Sequence, residues 1–469
     1  MRHVQKFLIL IVLLLINGCA LTANTVRPVQ PVEETQPQIW PSFVPAHEVA
    51  LLNAAEKKIV QQRQGDLLVT VQNAWGQPAK NVEVRWAQVN RSFRFGVDTP
   101  FEPTVWADLV RIGINHSVAE LDWRNTQPQI GDLRLDDHVK AWGLNVFPGK
   151  RNSARAAGLV WLNKERMPDW VKGLTATEKA GAIDWHITRL AEQLRGQVSV
   201  WEVLREPTAL DAGALENNGD LLKMARSATS AIRESDPVSA IMVSFKNPLG
   251  EGQEVNPLAF SNRILNAGLE YDVIGLEYLY NGVDRNPSRV QPKRSLAAIS
   301  QSFDDFALLG KDIHVTGISV PSHSPLTGKK ATGYWGRTWS PELQSTYLKA
   351  FYTLAFANKS VRAIVWHGGT DLESDVPFGG LMTRPGTPKQ SYHALRELIQ
   401  RWSSTGVAKV NNDGRLRFRA FAGEYHVVVT DLETQRQIVT TAEIGEQQLG
   451  DLIIKLPNEL THEDPPAEY

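Results

Sequence analysis

Short apolar runs alternate with helical patterns along most of this chain. Eight such runs are bounded by turn residues, at 93–98, 117–121, 159–162, 198–206, 240–245, 273–280, 313–319 and 363–368. Between them, apolar residues recur at helical spacing, most clearly at 177–194, 221–234, 296–309 and 341–358. Strands that alternate with helices form parallel sheets, so eight units predict an α/β fold, a (β/α)8 TIM barrel over residues 92–402. A doubly wound sheet is the alternative, but no Gly-rich phosphate loop follows any run.

The regions on either side of the barrel show different patterns. Residues 46–91 combine a helical pattern at 46–62 with two alternating β runs, 67–71 and 82–86, around a turn at 73–78, which predicts a hairpin. Residues 403–456 contain four short alternating runs and predict a small all-β domain, built as a sandwich. The tail, 457–469, is acidic and contains Pro, which predicts disorder.

The N-terminus has the features of a secretion signal. Met1-Arg-His-Val-Gln-Lys6 is basic, and residues 7–16 form an apolar run too short for an ordinary membrane span. Ile16-Asn-Gly-Cys19 then resembles the lipobox of bacterial lipoproteins, which implies a signal peptide over 1–19 and a lipid on the Cys19 thiol. An ordinary signal peptide and an uncleaved anchor are the alternatives. Residues 20–45, rich in Pro, Gln, Thr and Val, predict an extended tether, and Ala20 resembles the sorting signal for the outer membrane of the bacterial cell envelope.

Composition narrows the range of partners. The net charge of −1 shows no basic excess, so nucleic acid is not expected as a partner. The single Cys excludes a disulfide framework, and His314, His323 and His367 have no second ligand at metal spacing, so we expect no metal and no other cofactor. The absence of a Gly-x-Ser-x-Gly turn disfavours an esterase. The chain has 14 Trp, a residue that suits stacking on sugar rings but also fills cores.

One apolar run, Val198-Ser-Val-Trp-Glu-Val-Leu-Arg-Glu-Pro207, ends in a charged pair. A strand that delivers a carboxylate at its carboxyl end is how parallel barrels present catalytic groups. With the strands in order, the chain from about residue 65 to 402 resembles the family 10 glycoside hydrolases, which are xylanase-type (β/α)8 enzymes. The resemblance is carried by Leu159-Val-Trp-Leu162, Trp201-Glu-Val-Leu-Arg-Glu206, Ile274-Gly-Leu-Glu-Tyr-Leu279, Ile313-His-Val-Thr-Gly-Ile-Ser319, and Trp366-His-Gly-Gly-Thr-Asp371 with Gly379-Gly-Leu-Met382.

The same resemblance implies that several site groups have changed. Glu206 stands at the family's acid/base position, but its nucleophile position holds Gly317, which has no side chain. A retaining glycosidase needs two carboxyl groups about 5–5.5 Å apart. Other polar groups of the family are also replaced. The Asn before the acid/base corresponds to Arg205, and the His on strand three corresponds to Leu162. The Gln and His on strand six correspond to Glu277 and Leu279.

Three interpretations follow for the mouth of the barrel, which is the end where the carboxyl ends of the parallel strands lie. In the first, the barrel is catalytically degenerate and binds a β-linked polysaccharide. In the second, it is a hydrolase in which Glu277 replaces the lost nucleophile and pairs with Glu206, at the distance of about 6.5–9.5 Å that an inverting enzyme needs. In the third, it is a structural envelope protein with a packed mouth, because a fold alone does not fix a function.

Five residues are candidates for substrate binding, and four of them have a structural alternative. Trp161 and Trp366 are predicted to stack beneath sugar rings in the binding subsites, although either residue could fill the core. Arg205 could pair with Glu206 or Glu277 instead of substrate, and Asp371 could simply orient His367. The full set is Trp161, Arg205, Tyr278, Trp366 and Asp371.

Overall fold

A computed structural model describes residues 38–143, 153–161, 166–208, 218–250, 255–280, 295–328 and 332–457. The predicted signal peptide with Cys19, Leu162 and the tail from residue 458 onward lie outside the described residues. No helix within these ranges is long and apolar enough to cross a bilayer.

The elements are numbered in chain order. The strands are β1 (Gln64–Gln72), β2 (Val82–Arg91), β3 (Arg94–Asp98), β4 (His116–Glu120), β5 (Ser153–Ala157), β6 (Val200–Arg205), β7 (Ala240–Lys246), β8 (Val273–Leu279), β9 (Asp312–Ser319), β10 (Gly333–Tyr334), β11 (Arg337–Thr338), β12 (Val361–His367), β13 (Met382–Arg384), β14 (Thr387–Pro388), β15 (Thr405–Lys409), β16 (Arg415–Phe421), β17 (Gly423–Asp431), β18 (Gln437–Ile444) and β19 (Leu449–Lys455). The helices are α1 (Ala46–Gln62), α2 (Pro103–Arg111), α3 (Trp123–Thr126), α4 (Leu135–Ala141), α5 (Asp169–Lys172), α6 (Ala176–Leu194), α7 (Asn218–Ser235), α8 (Pro257–Asn266), α9 (Leu296–Ala307), α10 (Pro341–Ala357) and α11 (Gln390–Arg401).

The predicted barrel is confirmed. Strands β3 to β9 and β12 pair in parallel in chain order, and β12 closes the ring by pairing with β3. Alternate residues of each strand point outward and pack under the helices. Phe95 and Trp366, for example, belong to the large apolar core between the strands and the helical layer.

The third barrel strand differs from the predicted position. It is β5, with the sequence Ser-Ala-Arg-Ala-Ala, rather than the run at 159–162. This strand was not predicted because it consists mostly of small residues with low strand propensity. In the structure, burial against both neighbouring strands overrides that propensity. After Gly158, at φ 77°, the chain still follows β6, because the Arg205 N–H donates to Val160 O at 3.1 Å and Trp161 bridges Arg205.

The hairpin predicted from the β runs 67–71 and 82–86 is wrong, since β1 and β2 lie in different sheets. One sheet has the order β16-β1-β19 and the other β15-β2-β17-β18. The apolar faces of β1 and β2 share one core, where Trp86 stacks on Phe418 with ring centroids 4.0 Å apart. The two β regions predicted as separate segments, 46–91 and 403–456, therefore form one sandwich, because neither can bury its apolar face alone.

Buried Arg63 joins this sandwich to the barrel. It donates to the carbonyl oxygens of Phe356 and Val361 at 2.8 and 2.7 Å, and to Glu446 at 2.8 Å. These bonds fix α1 and β1 against the amino end of β12. The segment predicted as tether also ends earlier than residue 45, because Val44 is buried and Phe43 contacts the Trp335 ring.

Candidate active site

The two predicted catalytic carboxylates lie at the carboxyl ends of two barrel strands, β6 and β8, which are separated by β7. Glu277 is an inward residue of β8, and Glu206 follows the last residue of β6. Glu206 adopts φ 51°, a left-handed conformation that is uncommon for a non-glycine residue, and its N–H donates to Ser244 O at 2.9 Å. Such strain at a strand end is typical of functional positions, since it must be supported by the surrounding structure.

Arg205 connects the carboxylates at the mouth. Its guanidinium donates to both oxygens of Glu120 at 2.8 and 3.0 Å. It also lies 3.7 Å from Glu206 Oε1 and 3.7 Å from Glu277 Oε2, so the ion pairs raised as alternatives in the sequence are present. Burial opposes the charge, but the surrounding carboxylates, Glu120 first, raise the pKa of Arg205 well above its ordinary value. Arg205 is therefore a permanent cation at this site.

Lys246, at the end of β7, lies between the same two carboxylates. Its Nζ is 4.0 Å from Glu206 Oε1 and 3.6 Å from Glu277 Oε1. Because both oxygens are this close to one atom, they are at most about 8 Å apart, which is below the upper limit of about 9.5 Å for glycosidase carboxyl pairs. Burial, and then the charge of Glu277, raise the pKa of Glu206 to about 7, although Lys246 and Arg205 oppose the shift.

Gly317 lies directly against the side chain of Glu277. A methyl group placed on Gly317 would come within 3.2 Å of Glu277 Cγ and 3.8 Å of its carboxyl carbon. The Glu277 side chain therefore occupies the space that a side chain at position 317 would enter. Leu279 Cδ2, at 3.6 Å, forms the other wall of this space.

His367, the last residue of β12, is held between two carboxylates. Its Nδ1 is 3.3 Å from Asp98 Oδ2, and its Nε2 is 3.2 Å from Asp375 Oδ2. Burial alone would lower the pKa of His367, but the contacts with Asp375 and Asp98 raise it to about 10. The imidazole is thus a cation at neutral pH, and it ties the loop after β12 to the end of β3.

A second layer of charge lies below the mouth, inside the barrel. Arg155 Nε is 3.8 Å from Glu202 Oε2, and both side chains are almost completely buried. Arg155 also donates to Thr316 O at 3.1 Å. Burial raises the pKa of nearby Glu120, against the opposing charge of Arg205. The buried pair of Arg155 and Glu202 therefore lies beneath the mouth, and Glu120 connects it to Arg205.

Two of the predicted sugar-binding residues belong to the core instead. Trp366 is fully buried and its indole N–H donates to Gly379 O at 2.9 Å. Tyr278 is also buried, with its hydroxyl 2.7 Å from Ser302 Oγ. Each residue is a sequence neighbour of an inward residue, His367 or Glu277, so strand alternation directs it to the outer face of the barrel.

The other two candidates have partners that the sequence did not indicate. Trp161 is half-buried, and the guanidinium carbons of Arg205 and Arg166 lie 4.2 and 4.7 Å from its ring centroid. Asp371 does not orient His367. Its Oδ1 accepts from Lys389 Nζ at 2.8 Å and from the Gly380 N–H at 2.9 Å, which stabilises the loop after β12.

Four mouth residues were missed in the sequence. They are Asp98, Glu120, Lys246 and Asp375. The first three end barrel strands β3, β4 and β7, so the rule that identified Glu206 applies equally to them. Only Asp375, in a loop, carried no such signal. Among the described residues, no three His, Cys, Asp or Glu side chains converge in a way that could hold a metal ion.

The fold and these strand-end carboxylates define a glycosidase-type barrel. Residues 119–397 match the sequence profile of glycosyl hydrolase family 10, and the chain belongs to this family. Endo-1,4-beta-xylanase B of Thermotoga neapolitana is 25% identical over 264 residues, which cover 52% of this chain and 68% of the xylanase. Anti-sigma-I factor RsgI6 of Acetivibrio thermocellus is 21% identical over 399 residues, which cover 82% of this chain but only 48% of that protein.

Solved structures support the same fold. Native xylanase 10B from Thermotoga maritima superposes with a TM-score of 0.53 at 17% identity, covering 66% of this chain and 95% of the xylanase. Xylanase 10B from Thermotoga petrophila RKU-1, solved in complex with xylobiose, gives a TM-score of 0.51 at 18% identity, covering 66% of this chain and 94% of that chain. At these identities the likeness concerns the barrel.

Proposed function

We propose that the mouth of this barrel binds a β-linked polysaccharide without the retaining hydrolysis of family 10. The observation that carries the proposal is the contact of Lys246 with both Glu206 and Glu277, beside Gly317. A retaining enzyme needs a free carboxylate under the anomeric carbon. Gly317 supplies no carboxylate, and the carboxylate of Glu277 is paired with the cations of Arg205 and Lys246. The relatives named as xylanases support a β-linked glycan as the ligand class.

A second candidate is a hydrolase with a rebuilt carboxylate pair. It is favoured by the Glu277 side chain, which fills the space beside Gly317, and by Glu206, whose pKa of about 7 suits a general acid at neutral pH. In this mechanism Glu206 would protonate the leaving oxygen. Glu277 would act as base toward water on the opposite face of the sugar, with inversion at the anomeric carbon. Lys246 would have to move aside for the sugar to enter.

One set of assays separates these candidates. Wild type, Glu206→Gln and Glu277→Gln are compared for retention in gels containing β-1,4-xylan and for release of sugar from xylan and aryl β-xylosides. The exposed Glu397, which pairs with Lys349 outside the mouth, provides the control Glu397→Gln. Binding without turnover is expected. Turnover that both mouth variants abolish, with inverted product by NMR, would replace the proposal with the rebuilt hydrolase. No retention on any β-glycan would leave a structural envelope role.

The anchoring of the chain is a separate proposal. The pair Gly18-Cys19 after the apolar run supports lipidation of Cys19. Two or more acyl chains on this residue would attach the protein stably to a membrane, and Ala20 supports the outer membrane as its location. Metabolic labelling with a palmitate analogue should mark the wild-type protein. The labelled protein should then be recovered in the outer-membrane fraction. Equal labelling of Cys19→Ser would overturn this proposal.

A further inference from the structure

The sandwich presents one tryptophan almost entirely to solvent. Trp75, in the turn between β1 and β2, is 75% exposed. All 14 Trp of the chain lie in described segments, and the next most exposed is Trp185 on α6, at 40%. Burial of an indole stabilises a fold by a few kcal/mol, so a ring left in water at a loop tip contributes nothing to the sandwich core.

The turn that carries Trp75 is held rigidly. Asn73 Oδ1 accepts from the N–H groups of Trp75 and Gln77 at 3.1 and 2.9 Å. Two backbone bonds close the turn, from the Asn73 N–H to Gln77 O at 2.8 Å and from the Gly76 N–H to Asn73 O at 3.0 Å. A ligand that stacks on Trp75 would therefore pay little entropy to order its backbone.

Polar turns adjoin Trp75 on the same end of the sandwich. The β15–β16 turn, residues 411–414, is bonded to β1 through the Val71 N–H and Gly414 O at 2.8 Å. It exposes amide and carboxylate side chains, as does the β17–β18 turn, where Glu433 accepts from Asn81 Nδ2 at 2.6 Å. One aromatic ring among short polar side chains differs from a protein-binding hot spot, which lies within a larger apolar patch.

Trp75 is remote from the barrel mouth. The other end of β1, at Gln64, pairs with Phe421, which packs in the barrel core. This end of β1 directly follows Arg63, which is bonded to the amino end of β12. The nine residues of β1 place Trp75 about 30 Å beyond that junction, away from the carboxyl ends of the barrel strands. Any ligand on Trp75 is thus separate from one at Glu206.

We infer that Trp75 is a stacking platform for a second, accessory glycan site on the sandwich. A β-linked pyranose offers a flat C–H face to the indole and hydroxyls to the surrounding polar side chains. The ligand class rests on the proposed function of the mouth. With both sites on one chain, a long polysaccharide engages the protein twice, and the second contact is intramolecular.

The test uses the full chain carrying Cys19→Ser, so that an acyl anchor does not contribute. Wild-type side chains, Trp75→Ala and the control Trp185→Ala are compared in gels containing soluble β-1,4-xylan. Trp75→Ala is expected to weaken retention at least roughly fivefold, and Trp185→Ala to leave it unchanged. Titration with xylohexaose should show two sites per wild-type chain and one per Trp75→Ala chain.

The outcomes distinguish the two proposals. Equal retention of wild type and Trp75→Ala overturns the platform and leaves the mouth proposal standing. Loss of all binding in Trp75→Ala keeps the platform and overturns glycan binding at the mouth. If Trp75→Ala instead loses binding to phosphatidylethanolamine–phosphatidylglycerol vesicles with xylan retention intact, Trp75 is a membrane contact and the glycan platform is wrong. No retention of any of these proteins overturns both.

Discussion

The side chain of Glu277 lies where a side chain on Gly317 would point, with Glu277 Cγ 3.2 Å from the position of a Cβ on that glycine. The two residues face each other across a bulge in the β8–β9 pairing, where Glu277 is opposite Gly317. At this point β9 has no side chain, and the carboxylate of the neighbouring strand β8 occupies the adjacent space. Glu206 and Glu277 both contact Arg205 and Lys246.

A carboxylate placed at position 317, where the resemblance puts the nucleophile of the family, should create retaining activity. In Gly317→Glu with Glu277→Ala, truncation of the side chain at position 277 frees the space for the new carboxylate and also removes the competing charge. We expect hydrolysis of aryl β-xylosides above the wild-type level, with retained configuration by NMR. Gly317→Glu alone should be less stable, because it crowds two carboxylates. The matched control adds Glu206→Gln to the double variant and should lose the gained activity; a gain that persists without Glu206 contradicts this assignment.

Glu206 should make the stability of the protein pH-dependent. Its pKa rises from the ordinary 4.5 to about 7, so the folded state holds a proton that the unfolded state releases. Stability is therefore greatest below about pH 4.5 for this group and is lost as pH rises through about 7, by about 3 kcal/mol in all. Urea unfolding at pH 5 and pH 8 should show a larger decrease for wild type than for Glu206→Gln.

A second variant checks the cause of this shift. Lys246→Met removes a cation that lowers the pKa of Glu206, so the pH range of the decrease should move upward. Parallel pH profiles for wild type and Glu206→Gln would show that Glu206 titrates normally.

Arg205 should be essential to stability mainly because of Glu120. Arg205→Leu leaves a half-buried carboxylate without its two hydrogen bonds at 2.8 and 3.0 Å, and we expect a loss of about 2–3 kcal/mol in the free energy of unfolding. The double variant Arg205→Leu with Glu120→Leu should recover much of this loss. Arg205→Lys should recover less, because an ammonium keeps a charge beside Glu120 but cannot reproduce the planar guanidinium over Trp161. An undiminished deficit in the double variant would contradict the pairing.

His367 should stabilise the loop after β12 through its charge. Its pKa is raised from 6.5 to about 10, so its contribution is full below about pH 6.5 and is lost as pH rises through about 10. His367→Gln is expected to lower the free energy of unfolding by about 2–4 kcal/mol at pH 7, and by much less near pH 10.5. His426→Gln, on β17 of the sandwich, serves as the control. A deficit that is equal at both pH values would indicate a packing role alone.

The sequence by itself determined the barrel and the location of its chemistry. Eight apolar runs separated by helical patterns, seven of which are barrel strands, leave few other ways to bury so much surface, and parallel strands bring their carboxyl ends to one mouth. Glu206 and Glu277 follow from that rule without any knowledge of contacts. The same rule, applied to every strand, also includes Asp98, Glu120 and Lys246.

Only the tertiary structure decided which way each side chain points and what it meets. Trp366 and Tyr278 lie one residue away from inward positions, and a strand has a period of two, so a shift of one residue moves a ring from the mouth to the core. The low-propensity strand Ser153–Ala157 and the separation of β1 from β2 were likewise set by burial between distant segments. The contact of Lys246 with both carboxylates joins three strands, and such long-range proximity is not encoded in any local pattern of the sequence.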